Sequence, residues 1–271
     1  LTQGLMPESS SYWRVAARVA PALYAGHRAT AVEIVEKLPQ PYCDVALSRI
    51  CYYLLRKTLP LDPYERVPNH VFALEFESVV DLVGLMARID SDTLLYELVE
   101  MIADSVTDKK KNNITQQQLT DIADRLEALI EDKLPNPRHI QHAGYKIIGQ
   151  AQIARMRRAG RQEWDRLIAE AQAIPNIADK ALVLTTIAGL LGGKTSKLRT
   201  EVLIEVQSII DTIPTSLDRI ERLESLADVA VAHEPGIARE CLRSAMECST
   251  RSDDPEVYAV QRRLVDQAFR V

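Results

Sequence analysis

Apolar residues return along this chain at helical intervals. The stretches AVEIVEK, DRLEALIEDK, DRLIAEAQA, VLIEVQSIID and a weaker copy, RECLRSAMEC, set them three and four places apart. That spacing lines one stripe of an α-helix and leaves polar residues on the opposite face. Each of these stretches runs into a break. Four breaks share one form, an apolar residue followed by Pro and a small polar residue: Leu38-Pro39-Gln40, Leu134-Pro135-Asn136, Ile174-Pro175-Asn176 and Ile213-Pro214-Thr215. Two looser ones, Ile89-Asp90-Ser91 and Ser252 to Pro255, extend the series. The later breaks fall about 40 residues apart, a spacing typical of stacked helical repeats.

After each break a second helix is predicted, with a core of small residues. Ala181-Leu182-Val183-Leu184-Thr185-Thr186-Ile187-Ala188 is matched by Ile220-Glu221-Arg222-Leu223-Glu224-Ser225-Leu226-Ala227. An earlier copy is Val45-Ala46-Leu47-Ser48-Arg49-Ile50-Cys51. Pro cannot continue the hydrogen-bond ladder of the first helix, and it pushes the residue before it out of the helical region. Asn, Thr, Ser or Asp just beyond can accept the free N–H groups of the next helix. A short turn then sets the two helices antiparallel. One couple cannot bury its own apolar stripe, so successive couples stack. No alternating segment flanked by Asn-Gly or Asp-Gly competes as a strand. The expected fold is all-α, a right-handed α-solenoid of stacked antiparallel helix pairs with about six repeats.

The regular array is placed at 117–271 as one continuous solenoid, and 1–116 is read as irregular helical repeats with inserted loops. RKTLPLDPYERVPNH, at 56–70, carries three prolines, and TDKKKNNITQ, at 107–116, is a polar loop with a lysine triplet.

The alternation LIAEAQAIPNIADKALVLTTIAGLL followed by LIEVQSIIDTIPTSLDRIERLESLADVA resembles tetratricopeptide-like helical repeats. More narrowly, it is similar to the C-terminal sensor repeats of bacterial STAND-type signal-transduction NTPases. The match covers 163–250. The recurrence is longer than the tetratricopeptide period of about 34 residues and lacks its Trp-Leu-Gly-Tyr pattern, while HEAT-type repeats are nearer in length. The resemblance implies a repeat array that binds another protein, as the sensing or scaffold segment of a larger signalling or defence protein. The opening LTQGLMPESS, without an initiator Met, is read in the same way, as part of a longer chain.

Composition agrees with helices. Hydrophobic residues make up 46% of the chain, enough for a substantial core, and only 10 glycines occur. The net charge of −5 supplies no global field for gathering phosphates. The longest apolar run, Ala181 to Gly193, is interrupted by two threonines and is too short to span a bilayer. Cys43, Cys51, Cys241 and Cys248 show no CxxC spacing and are expected as reduced core thiols, consistent with a cytoplasmic protein.

Candidate chemistry is sparse. Gly192-Gly193-Lys194-Thr195 looks like the end of a P-loop, but the first glycine of that pattern is replaced by Ala188 and no strand precedes it. The glycines are read as helix-ending residues. His139 and His142 can share a helical face, yet nothing nearby completes a zinc set. His27, His70 and His233 stand alone. No hydrolase, metalloprotease or dinucleotide motif occurs, so the expectation is no enzyme, no cofactor, no metal and no small-molecule substrate. The remaining candidates are basic: Arg155, Arg157, Arg158 and Arg161 close to Trp164, and the triplet Lys109, Lys110, Lys111. Most charge runs are solvated faces. Arg and Trp are nevertheless enriched where proteins bind, and a guanidinium forks onto carboxylates. The expected partner is a protein or peptide in the concave groove, with no membrane. A nucleic-acid scaffold and a structural oligomerisation segment are the alternatives, the first disfavoured by the acidic balance.

Overall fold

A computed structural model describes residues 10–56, 76–107, 114–133, 144–192, 195–214 and 217–250. Within them the chain is all-α, a solenoid-like succession of 12 helices with no strand. It forms two compact units, 1–137 and 138–271. In both, every extensive contact joins helices that are adjacent, or adjacent but one, along the chain. That local pattern is what stacking of short helical units produces. The breaks at Pro39, Asp90, Pro175 and Pro214 all fall between helices. Those at Pro135 and Ser252 to Pro255 lie outside the described residues, as do Lys109 to Lys111, His70, His139, His142, Gly193 and Lys194.

The first unit contains α1 (Ser10–Gly26), α2 (Arg28–Glu36), α3 (Tyr42–Arg56), α4 (Phe76–Met86), α5 (Asp92–Thr107) and α6 (Gln116–Lys133). α3 is its centre, packed by α1, α2, α4 and α5. Its stripe Ala46, Leu47, Ile50 and Cys51 is wholly buried. The buried carboxylate of Asp44 accepts the Gln40 side-chain amide at 3.1 Å and the Asp90 backbone N–H at 3.0 Å, tying the turn before α3 to the turn before α5. α6 begins with a reciprocal cap. The Thr115 hydroxyl accepts from Gln118 N–H at 3.3 Å, and the Gln118 side chain accepts from Thr115 N–H at 2.9 Å. Leu119, Ile122, Ala123, Leu126, Leu129 and Ile130 form its buried face. α6 packs on α4 and α5, so it belongs with the first unit, although its sequence pattern groups it with the regular array.

The second unit contains α7 (Tyr145–Arg157), α8 (Arg161–Gln172), α9 (Ile177–Leu190), α10 (Ser196–Asp211), α11 (Leu217–Ala230) and α12 (Pro235–Thr250). α9 is central, touching α7, α8, α10 and α11. A helix apolar on nearly every face belongs inside. This accounts for the run Ala181 to Leu191, most of which is buried, with Gly189 alone of these residues exposed. Among the described residues, no helix is long and apolar enough to cross a membrane. The matched stripes coincide in the structure: Ala181, Leu184, Ile187 and Ala188 of α9 are buried, and so are Ile220, Leu223, Leu226 and Ala227 of α11.

The register of the repeat differs from the Pro-punctuated couples. α9 packs more extensively on α10, and α11 on α12, than α8 does on α9 or α10 on α11. Pro175 and Pro214 therefore punctuate the looser junctions of this unit. The junction of α9 with α10 carries no proline in its sequence, and at the junction of α11 with α12 Pro235 stands at the first position of the second helix.

Candidate functional site

The junction of α8 and α9 is set by Asn176. Its side-chain oxygen accepts the N–H groups of Ala178 at 2.9 Å and Asp179 at 3.1 Å, capping α9 directly after Pro175. This places Ile177 at the first position of α9 with its side chain outward, 43% exposed. α8 and α10 are bridged by polar side chains. Gln172 donates to Glu205 at 2.6 Å, and Arg161 pairs with Glu201 at 3.5 Å.

Beside the first of these bridges lies an open, mainly apolar groove of about 480 Å³, lined by Gln172, Ile177, Lys180, Glu205, Ser208 and Ile209, with Thr212 at its end. Ile204 stands one turn before Ser208, on the same face of α10. It is 55% exposed, beyond any of the other large hydrophobic residues described. Isolated exposed apolar side chains are ordinary on a protein surface. An exposed isoleucine lining a mainly apolar groove with a Lys, Glu and Gln rim, with a second on the same face of α10, has the make-up of a recognition surface.

The arginines near Trp164 are arranged differently from a free basic patch. Arg155 and Arg157 are on the last turn of α7, and both are half-buried. Arg158 ends that helix in the left-handed conformation, at φ 54° and ψ 48°, and is exposed. Its N–H and that of Ala159 close the final turn on the carbonyls of Arg155 and Ala154. Arg161 is paired with Asp165 at 3.4 Å as well as with Glu201. Arg166, which sequence reasoning left out, bonds Glu163 at 2.7 Å and also Glu170. Its guanidinium holds the Glu163 carboxyl below its ordinary value by hydrogen bonding, with the nearby charge of Arg157 adding to the effect. Carboxylates thus interleave the cluster, and its field toward a nucleic-acid backbone is correspondingly weak. Trp164 is 3% exposed. Its indole fills the core of α8 with Leu167, Ile168 and Ala171, so it offers no surface to a partner.

All four cysteines are buried and form no disulfide. Burial pushes the thiols of Cys51 and Cys241 up to about 12, far from a reactive thiolate. His27 and His233 are exposed, and among the described residues no cluster of His, Cys, Asp and Glu is suited to a metal ion.

The groove was not legible in advance. Ile204 reads as part of the amphipathic stretch VLIEVQSIID, and only the helix packing turns it outward. The signal available was the cap: a helix starting at Ile177 directly after Asn176 places its first side chain outside the buried stripe that begins at Ala181. Compared with family models, curated proteins and solved structures, the chain matches none.

Proposed function

We propose that this chain is a protein-recognition module and that its second unit receives a segment of another protein in the groove lined by α8, α9 and α10. The observation that supports this most directly is the exposure of Ile177 in an open, mainly apolar groove, with exposed Ile204 one turn from the lining residue Ser208 on α10. A segment fitting it carries two apolar anchors, with polar groups for Lys180 and Glu205 at the margins. Water leaving the apolar floor supplies affinity, and the rim fixes register.

In its finer form this reading places the array among tetratricopeptide-like or HEAT-like repeats. It makes the array the sensing or scaffold part of a larger signalling or defence protein of the STAND type. The recurrence of one buried stripe in α9 and α11 supports a repeat origin. Both isoleucines are exposed, so replacing them leaves the fold intact.

The test uses peptides selected for binding to the full chain. Ile177→Asp and Ile204→Asp are each expected to weaken those peptides about tenfold or more, as loss of a recognition anchor does. Circular dichroism should be unchanged. Selected peptides that bind both variants as tightly as the parent chain would refute the groove as the recognition surface.

A further inference from the structure

Arg199 lies in the first turns of α10, is 8% exposed, and is a cation without a bonded partner among the described residues. Its Nε is sequestered with no hydrogen-bond partner. An arginine has five donors and no means of shedding its charge near neutral pH, so burying it unanswered is costly. A helical side chain leans back toward the N-terminus of its helix. Accordingly one Nη of Arg199 comes to 3.4 Å from where a Cβ on Gly192 would stand, which places the guanidinium against the turn before α10.

The same end of α10 is uncapped. The Thr195 hydroxyl accepts the Gly192 N–H at 3.1 Å and donates to the Gly192 carbonyl at 2.9 Å, and it makes no bond to the first turn. No acidic residue lies in that turn. The free N–H groups of a helix N-terminus carry partial positive charge and favour an anion.

Glu234 is an anion of the same unit whose charge reaches Arg199. The two do not form an ion pair. Instead, Glu234 accepts the Thr200 hydroxyl at 2.5 Å, which holds its carboxylate on a different residue.

We propose that Arg199 and the first turn of α10 form a pocket for a carboxylate. A singly charged, planar group matches the guanidinium fork. A phosphate dianion meets the same fork but also the standing negative charge of Glu234, and is the poorer fit. The source of the carboxylate rests on the recognition reading above: an acidic residue or C-terminus of the bound protein.

Acetate tests the pocket without any partner. The full chain, labelled with ¹⁵N, is titrated with sodium acetate, sodium phosphate and sodium chloride at matched ionic strength. Acetate is expected to shift the Arg199 Nε–H and the Ser196 and Lys197 amides saturably, and more tightly than phosphate. Arg199→Met should abolish the shifts of the amides. Arg199→Lys, which keeps the charge and removes the fork, should weaken binding severalfold and decides the matter if the Met variant fails to fold. Glu234→Gln should tighten acetate severalfold, because a competing charge is removed.

Acetate shifts no larger than those of chloride, or tighter binding of phosphate, would overturn the proposal. So would a Glu234→Gln variant that loses stability without gaining acetate affinity, since Arg199 and Glu234 would then simply serve each other. A silent acetate titration removes the pocket and leaves the groove standing, whereas groove variants that retain their peptides remove the recognition reading and leave the acetate result untouched.

Discussion

Truncating Leu184 to Ala measures how central α9 is. Leu184 has no exposed surface, and its helix is enclosed by α7, α8, α10 and α11. Removing most of a buried leucine forfeits about 2 kcal/mol of transfer free energy. A cavity term adds to this, because the surroundings collapse only partly, and Leu→Ala changes span roughly 2–5 kcal/mol in total. Enclosure by four helices leaves few ways to close the hole, so the expected loss lies at about 3–4 kcal/mol. Ile204→Ala is the internal control. With 55% of Ile204 exposed, the change should cost no more than about 0.5 kcal/mol. A chain of two compact units need not unfold in one step, so amide hydrogen exchange across 177–190 is the appropriate assay. Global-type protection of that helix should fall by the stated amount in Leu184→Ala and barely change in Ile204→Ala. Equal losses in the two variants would refute the placement of α9 at the centre of its unit.

Other expectations follow from the helix ends and the thiols. Asn176→Ala removes the acceptor of two N–H groups and should lower the stability of the second unit by about 1 kcal/mol, read from exchange in α9. Arg158→Gly should raise stability by about 1 kcal/mol, because a non-glycine residue at φ 54° is strained, and thermal unfolding checks it. The Cys51 thiol is held at about 12 by burial, whereas an unfolded thiol titrates near its ordinary value of 9. A raised folded value leaves stability whole below pH 9. It is then lost as pH climbs toward 12, by up to about 1.4 kcal/mol per pH unit for this group. Cys51→Ala should therefore flatten the alkaline limb of a denaturation-against-pH curve, and an unchanged slope would contradict the assignment.

Much of the fold was readable because prolines and stripes act locally. Pro175 ends one helix by chemistry that needs no neighbour, and Asn176 caps the next as its side chain dictates. Ala181, Leu184, Ile187 and Ala188 share a face at any packing arrangement, and that face is buried. What sequence could not show depends on neighbours. Pro21 sits inside α1 without ending it, because the chain continues helically to Gly26. The close at Arg158 has no glycine or proline at the turning residue to announce it. Trp164 and the arginines around it are adjacent in sequence but divided between core and surface. The choice of α9 with α10 as the tight hairpin is made by side chains about 20 residues apart, beyond the reach of any local rule.

The central claim is that the groove across α8, α9 and α10 is where another protein is held. The most direct measurement is an amide chemical-shift map of the ¹⁵N-labelled full chain bound to an affinity-selected peptide. The account predicts that the perturbed amides cluster at Gln172, Ile177, Lys180, Glu205 and Ser208, with Ile204 beside them. Saturable shifts confined to other helices, with these residues unmoved, would contradict it.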